Sequence, residues 1–193
     1  MKRWSYQKRL FNGDESNHIP KSEIHELSLS KELLKDWQQR IQIYQNKLFK
    51  GDNNIHQQGS LFSKDENIRI DAIEPLKLTP LPLSFWRWPD CPHHGPAIYL
   101  VMDQLEDSTS HILLYIGETI AANRRWKGNH DCKSYLAVYS EALVSAGIKS
   151  QLSIRFWSDV PENTKSRRKL EQQLIQKWQP PFNKESRKRW NTP

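Results

Sequence analysis

Apolar positions follow different patterns in the two halves of the chain, and each pattern predicts different elements. Residues 1–29 are polar without a sustained period, so we expect a flexible N-terminus there. Over 30–50, apolar residues recur at spacings of three and four, which predicts an amphipathic helix with Ser30 as its N-cap and Gly51 at its end. The predicted apolar face consists of Leu33, Leu34, Trp37, Ile41, Tyr44 and Leu48.

The next segment, 51–94, is polar at first and rich in proline later. Pro75, Pro80, Pro82 and Pro89 exclude a long helix, because proline lacks the amide hydrogen and clashes with the preceding turn. We therefore expect a linker followed by an extended segment that packs against a neighbouring core.

From residue 95 onward the pattern predicts a compact α+β domain over 95–185, followed by a basic tail over 186–193. Short runs rich in β-branched and aromatic residues predict strands, and apolar spacings of three and four predict helices. The predicted strands are 97–102, 111–116 and 152–157, and the predicted helices are 119–126, 134–146 and one from about Pro161 to the residues before Pro180. The expected fold is a small three-stranded antiparallel sheet flanked by helices, preceded by the N-terminal helix and the extended linker.

Composition limits the classes of protein that remain. The longest apolar run has six residues, whereas a membrane span needs about 20, so we expect no membrane crossing. The N-terminus has no apolar segment typical of a secretory signal, and a cytoplasmic protein is expected. Cys91 and Cys132 lack the paired spacing of a zinc site, and His93 and His94 are expected to be surface residues of a loop.

Positive charge is concentrated near the C-terminus. The chain carries 29 Lys+Arg against 22 Asp+Glu, and residues 155–190 hold ten of the basic residues against four acidic ones. A basic surface favours polyanions, because binding phosphates releases condensed counterions. The alternative interpretation is an ordinary solvated helix surface.

A set of polar and aromatic residues in the second half is not explained by core packing. Tyr99 and Tyr115 lie in the two paired strands, and Gly117 ends the second strand, where a small residue lets another group approach closely. Arg125 follows on the short helix, and Glu171 stands beside the apolar stripe of the last helix.

The order of these residues resembles the GIY-YIG nuclease family over about 95–185. The motifs that carry the resemblance are Ala97-Ile98-Tyr99, Tyr115-Ile116-Gly117, Arg125, Glu171 and Pro181-Phe182-Asn183. Two departures stand out: Ala97 replaces the usual glycine, and the loop 103–110 is longer than in the compact form. The resemblance implies a metal-dependent endonuclease that hydrolyses DNA phosphodiester bonds, in repair or recombination, and it leaves open whether RNA is a substrate.

The resemblance also implies a role for each residue. Glu171 would hold one Mg²⁺ or Mn²⁺ ion, and Arg125 would bind the scissile phosphate, with Arg124 as its competitor for that role. Tyr99 would act as general base or orient the attacking water, and Tyr115 would bind the water or the phosphate. The remaining predicted site residues are His130 for proton transfer, Asn183 for positioning, and Gly117, Arg124, Lys127, Arg167, Arg168 and Lys184 for substrate binding.

Two other functions remain open at this point. One is a non-catalytic nucleic-acid-binding protein on the same fold. The other is a protein recruited to the DNA sliding clamp, because Gln58, Leu61 and Phe62 resemble the short peptides that dock on that clamp.

Overall fold

The structure is a computed structural model that describes residues 30–51, 70–71, 73–106, 109–127 and 131–190. Three predictions lie outside the described residues: the flexible N-terminus over 1–29, the clamp-type peptide and the role of His130. The peptide residues concerned are Gln58, Leu61 and Phe62.

The first helix, α1 (Lys31–Phe49), forms where the period predicts it. The Ser30 hydroxyl accepts a hydrogen bond from the Leu33 amide at 3.2 Å, which caps the helix as expected. The buried stripe differs from the predicted one, since Leu33 is 56% exposed. The buried positions instead run Leu34, Gln38, Ile41, Gln45 and Leu48.

The sheet is antiparallel, in the strand order β1-β4-β2-β3. Its strands are β1 (Leu81–Pro82), β2 (Ala97–Gln104), β3 (His111–Thr119) and β4 (Gln151–Trp157). The α+β class is confirmed, but the prediction of three strands was wrong. The additional strand is β1, which has two residues, one of them a proline, and is too short to show an alternating pattern in the sequence. It lies at the edge of the sheet, where proline is tolerated.

Helices cover both faces of the sheet. The helix α4 (Thr164–Trp178) packs against one face, where its apolar residues form a core with Ile98, Leu100 and Met102 of β2. The helices α1 and α3 (Asp131–Ser145) pack against the opposite face together with Phe85. A short helix, α2 (Ala122–Arg125), follows β3. The central strand β2 is therefore buried on both sides, and it provides a rigid base for the residues it carries.

The proline-rich segment packs against the domain, as expected from its apolar residues. The Arg155 guanidinium of β4 donates hydrogen bonds of 3.0 Å to the carbonyls of Pro75, Leu76 and Leu78. These bonds replace the backbone partners that proline-rich chain lacks, so they anchor an otherwise irregular segment.

The C-terminal part of the described chain also packs on the domain. The helix α4 begins at Thr164, because the Asn163 side chain accepts hydrogen bonds from two amides of the first turn. After it comes a last helical turn, α5 (Arg187–Trp190), whose Trp190 is buried and donates to the Gln179 carbonyl at 2.7 Å. Among the described residues, no helix is long and apolar enough to span a membrane.

Candidate active site

The predicted site begins with a close contact between two paired strands. Tyr99 of β2 lies opposite Gly117 of β3. A Cβ atom on Gly117 would lie 2.3 Å from both Cζ and Oη of Tyr99, far inside van der Waals contact. The glycine is therefore required by the tyrosine ring, which lies across the neighbouring strand in the space a side chain would fill.

The second tyrosine lies on the same face of the sheet, two residues before Gly117 in β3. The register between β2 and β3 shifts after Val101, which pairs with Tyr115 while Met102 pairs with Leu113. Leu114 is thus the extra residue of a β-bulge. Because Tyr99 and Val101 share one face of β2, Tyr115 lies on the face of Tyr99, and the two rings stack with centroids 6.0 Å apart.

Arg125 joins this pair from α2. Its Nε donates a hydrogen bond to the Tyr99 hydroxyl at 3.2 Å, and its guanidinium carbon lies 5.7 Å from the centre of the same ring. Trp126 packs edge-on against Tyr99 with centroids 6.0 Å apart. Arg125 is thus fixed beside the phenol groups, whereas Arg124 is an exposed residue. Of the two arginines, Arg125 is therefore the better placed for the predicted phosphate contact.

Both tyrosines are held in their protonated form. Burial raises the pKa of Tyr99 well above its ordinary value of 10, and the opposing effect of Arg125 is smaller. Burial, with Cys132 and Glu171 adding to it, raises the pKa of Tyr115 to about 12. Near neutral pH both phenol groups can therefore act as hydrogen-bond donors and acceptors, not as charged bases.

Glu171 approaches the outer edge of β3 from α4. Its Oε1 accepts a hydrogen bond from the Glu118 amide at 3.0 Å. Burial raises the pKa of Glu171 to about 7, and the carboxylates of Glu118 and Glu185 act in the same direction. The hydrogen bond from the Glu118 amide opposes the rise. Glu171 is thus a carboxylate whose charge needs a further partner.

The Asn183 side chain hydrogen-bonds the edge of β3 in the way that the backbone of a neighbouring strand would. Its Oδ1 accepts from the Ile116 amide and its Nδ2 donates to the Ile116 carbonyl, both at 2.9 Å. The neighbouring Phe182 amide donates to the Leu114 carbonyl at 3.0 Å. Asn183 is 4% exposed, so its geometry is that of a positioning residue for the strand that carries Tyr115.

Gln45 of α1 extends this row of side chains and was missed in the sequence. Its Oε1 accepts from the Leu113 amide at 2.7 Å, and its Nε2 donates to the carbonyls of Leu113 and Trp178 at 3.0 and 3.1 Å. It therefore ties α1 to both β3 and α4. The available signal was a glutamine at helical spacing between the apolar Ile41 and Leu48.

An open cleft of about 240 Å³ lies beside this strand edge. Tyr115 and Glu171 line it from β3 and α4, and Tyr135 lines it from α3. The segment after α4 supplies the remaining wall, with residues that include Phe182, Asn183, Lys184, Glu185 and Arg187.

The predicted substrate-binding residues lie in different settings. Lys184 is exposed at the cleft, and Lys127 and Arg168 are also exposed. Arg168 forms an ion pair with Glu118 at 3.2 Å. Gly117 is covered by the Tyr99 ring, so it contributes by admitting that ring.

The prediction that Arg167 binds substrate needs a correction, because its side chain is buried. Its side chain is 0% exposed, and its Nε donates to Glu118 at 2.9 Å. Its Nη1 donates to the carbonyls of Pro161 and Glu162 at 3.0 and 2.9 Å. Arg167 joins the loop before α4 to the end of β3, and it leaves the set of predicted substrate contacts.

The oxygen ligands at the cleft suit a divalent ion only if the protein supplies few of the ligands in its coordination shell. The described residues contain no group of three or more His, Cys, Asp or Glu side chains suited to a metal. Glu171 is a hard oxygen ligand at the cleft with one oxygen committed to the Glu118 amide. Mg²⁺ is often held by one or two carboxylates, with water and substrate phosphates completing its shell, and Glu171 fits that arrangement.

Comparison with known proteins gave no match, whether to a protein-family model, to a curated protein or to a solved structure. The arrangement of the residues themselves is therefore the basis of any functional assignment.

Proposed function

We propose that this protein is a metal-dependent endonuclease of the GIY-YIG type that hydrolyses DNA phosphodiester bonds. The observation that carries the proposal is the convergence of Tyr99, Tyr115, Arg125 and Glu171 from four separate elements. Each of these residue types has a use in phosphodiester hydrolysis, which needs a bound water, a counter-charge for the phosphorane and a stabilised leaving oxygen.

Arg125 supplies the counter-charge in this proposal. A guanidinium presents forked donors that match two phosphate oxygens, and it stays charged at any physiological pH. Its hydrogen bond to Tyr99 Oη uses Nε, so the phosphate would be bound by the outer edge of the fork.

Tyr115 orients the attacking water in this proposal, and the fully buried Tyr99 positions Tyr115 and Arg125 by hydrogen bonds. Since burial raises the pKa of both phenols, neither carries a charge near neutral pH. Tyr115 lines the cleft, and in this proposal its hydroxyl hydrogen-bonds the water or a phosphate oxygen. Proton removal from the attacking water would therefore not depend on a free phenolate of this chain.

Glu171 would hold the Mg²⁺ or Mn²⁺ ion, which supplies Lewis-acid stabilisation of the phosphate and lowers the pKa of a bound water. Its Oε1 is fixed by the Glu118 amide, so the orientation of the carboxylate is set before substrate arrives. Burial disfavours the charged form of Glu171, and binding a cation would compensate for that cost.

The test compares the wild type with Glu171→Gln and Glu171→Ala on labelled DNA duplexes, flaps, junctions, single strands and RNA, with Mg²⁺ or Mn²⁺. Glutamine keeps the acceptor for the Glu118 amide but removes the charge, so we expect the fold and DNA affinity to persist. Cleavage should fall by at least about 10³-fold, the range associated with losing metal-assisted catalysis.

Glu141→Gln is the matched control, because Glu141 is an exposed glutamate on α3 away from the cleft. It should cleave at the wild-type rate. Wild-type cleavage by Glu171→Gln would refute the role of Glu171, and DNA binding without cleavage by any variant would favour a non-catalytic DNA-binding protein.

A further inference from the structure

Arg187, the first residue of α5, has an unusual position in the cleft. Its guanidinium carbon lies 4.3 Å from the centre of the Tyr135 ring, which fixes the plane of the group. Both residues line the cleft that Tyr115 and Glu171 also line. Arg187 was not among the predicted site residues.

One nitrogen of this guanidinium lacks a partner. Arg187 Nη2 is buried, and within the described part of the chain no group accepts a hydrogen bond from it. No ion pair involving Arg187 within 4.0 Å occurs there either, although Glu171 and Glu185 line the same cleft. Buried donors in native proteins are nearly always paired, so the described fold leaves part of the hydrogen-bonding capacity of this guanidinium unused beside the cleft.

The backbone of Arg187 is fixed to the strand that carries the tyrosines. Its amide donates to the Asn183 carbonyl at 3.0 Å, and the Asn183 side chain forms two hydrogen bonds with Ile116 of β3. The backbone of Arg187 is thereby tied to the strand that carries Tyr115 by a short chain of hydrogen bonds. A group held this firmly is suited to recognising a ligand at a defined position.

Two cationic side chains of this cleft can bind an anion, although the carboxylates of Glu171 and Glu185 line it as well. Arg187 and Lys184 both line the cleft, and a guanidinium stacked on an aromatic ring presents its donors in one plane. Arg125, which contacts Tyr99, is not among the residues that line the cleft. Two guanidinium groups thus lie at different places around the tyrosine pair.

We infer that the guanidinium of Arg187 binds a backbone phosphate of the nucleic acid next to the scissile phosphate. This inference rests on the proposed function and adds to it a second phosphate contact that sets the register of the strand in the cleft. Arg187 acts here as a substrate-binding residue and takes no part in the bond-breaking step.

The test measures binding of DNA duplexes in metal-free buffer, so that it does not depend on cleavage. Arg187→Gln should weaken binding about tenfold, and the slope of log K against log salt should fall by about 0.9, the value for one phosphate contact. Arg187→Lys keeps the charge and should recover part of the affinity. Arg189→Gln is the control, since Arg189 stacks on Tyr44 and Trp190 rather than lining the cleft.

A methylphosphonate scan then locates the phosphate. One neutral substitution should weaken binding to the wild type and have no further effect on Arg187→Gln, because that variant has already lost the contact. An equal effect of every substitution on both proteins would overturn the inference. So would an unchanged affinity and salt slope in Arg187→Gln.

Thermal unfolding separates a binding role from a structural one. Because Nη2 has no partner in the described fold, Arg187→Gln should unfold at the wild-type temperature or above it. A marked loss of stability would assign Arg187 to the fold and overturn the inference. If the wild type binds DNA but never cleaves it, the proposed activity fails while the binding scan still decides the role of Arg187.

Discussion

Strand β2 carries two buried residues with polar groups, Tyr99 and Asp103, on the same face and four positions apart. In the cluster around Asp103 the polar groups hydrogen-bond one another, and we call it the closed cluster. Its two carboxylate oxygens accept from the Tyr139 hydroxyl at 2.7 Å and from the Gln151 amide at 3.0 Å. Gln38 of α1 donates to the same Tyr139 hydroxyl at 2.7 Å.

In the cluster around Tyr99 some polar groups border the cleft, and we call it the open cluster. Arg125 donates to the Tyr99 hydroxyl and the Glu118 amide donates to Glu171, but Tyr115 and Glu171 also line the cleft. Hydrogen-bonding groups that face a cleft retain capacity for a ligand, whereas those around Asp103 are used in joining α1, α3, β2 and β4.

The comparison shows that a shifted pKa does not by itself mark an active site. Burial raises the pKa of Asp103 to about 6 and that of Glu171 to about 7, so the two carboxyl groups look alike by this measure. What separates them is access, because Asp103 is 0% exposed and Glu171 borders the cleft.

Among the variants that test this comparison, Gly117→Ala has the largest expected effect, and it acts on the open cluster. The added Cβ would meet the Tyr99 ring at 2.3 Å, so the ring has to move. We expect cleavage to fall at least about 100-fold, because displacing a positioned group from its working geometry has costs of this size. Overpacking should also lower the free energy of unfolding by about 1–3 kcal/mol. Single-turnover cleavage and urea unfolding measure the two effects, and full activity in this variant would show that the Tyr99 position is unimportant.

The next effect comes from Asp103→Ala, which opens the closed cluster. At pH 5 the carboxyl is mainly protonated, and its removal leaves the Tyr139 hydroxyl and the Gln151 amide without their acceptor. We expect the free energy of unfolding to fall by about 3 kcal/mol, while cleavage per folded molecule changes less than about twofold. Asp90→Ala, in an exposed loop, is the control and should have little effect. Loss of cleavage in a folded Asp103→Ala protein would contradict the division between the clusters.

The smallest effect is on the pH dependence of stability. The folded protein holds the Asp103 proton up to pH about 6, whereas the ordinary value is 3.8, so the folded state binds more protons between these values. Stability therefore falls as the pH rises through this window, by about 2 kcal/mol for Asp103. Glu171 contributes with the same sign between its ordinary value of 4.5 and about 7.

Two variants divide this pH dependence between the clusters. Asp103→Asn should flatten the stability profile mainly between pH 4 and 6, and Glu171→Gln should flatten it at the higher end, up to about pH 7. Denaturant titrations at a series of pH values measure both. A profile that neither variant changes would show that these carboxyl groups are not buried as described.

Local features were determined by the sequence alone. The helix α1 follows from a cap at Ser30 and a period of three and four, both of which act within a few residues. The strands β2, β3 and β4 follow from short runs of β-branched and aromatic residues. The order of Tyr99, Tyr115, Arg125, Glu171 and Asn183 along these elements was also visible, which is why the candidate site was found at all.

The tertiary structure decided everything that depends on contacts between distant segments. It turned Gln45 into a partner of Leu113, it buried Arg167 against Glu118, and it paired Leu81 with β4. A one-residue bulge at Leu114 decided which faces of the sheet Leu113 and Ile112 occupy. These outcomes escape sequence patterns because a polar side chain is buried or exposed according to the partners that the fold brings to it, and those partners lie far away along the chain.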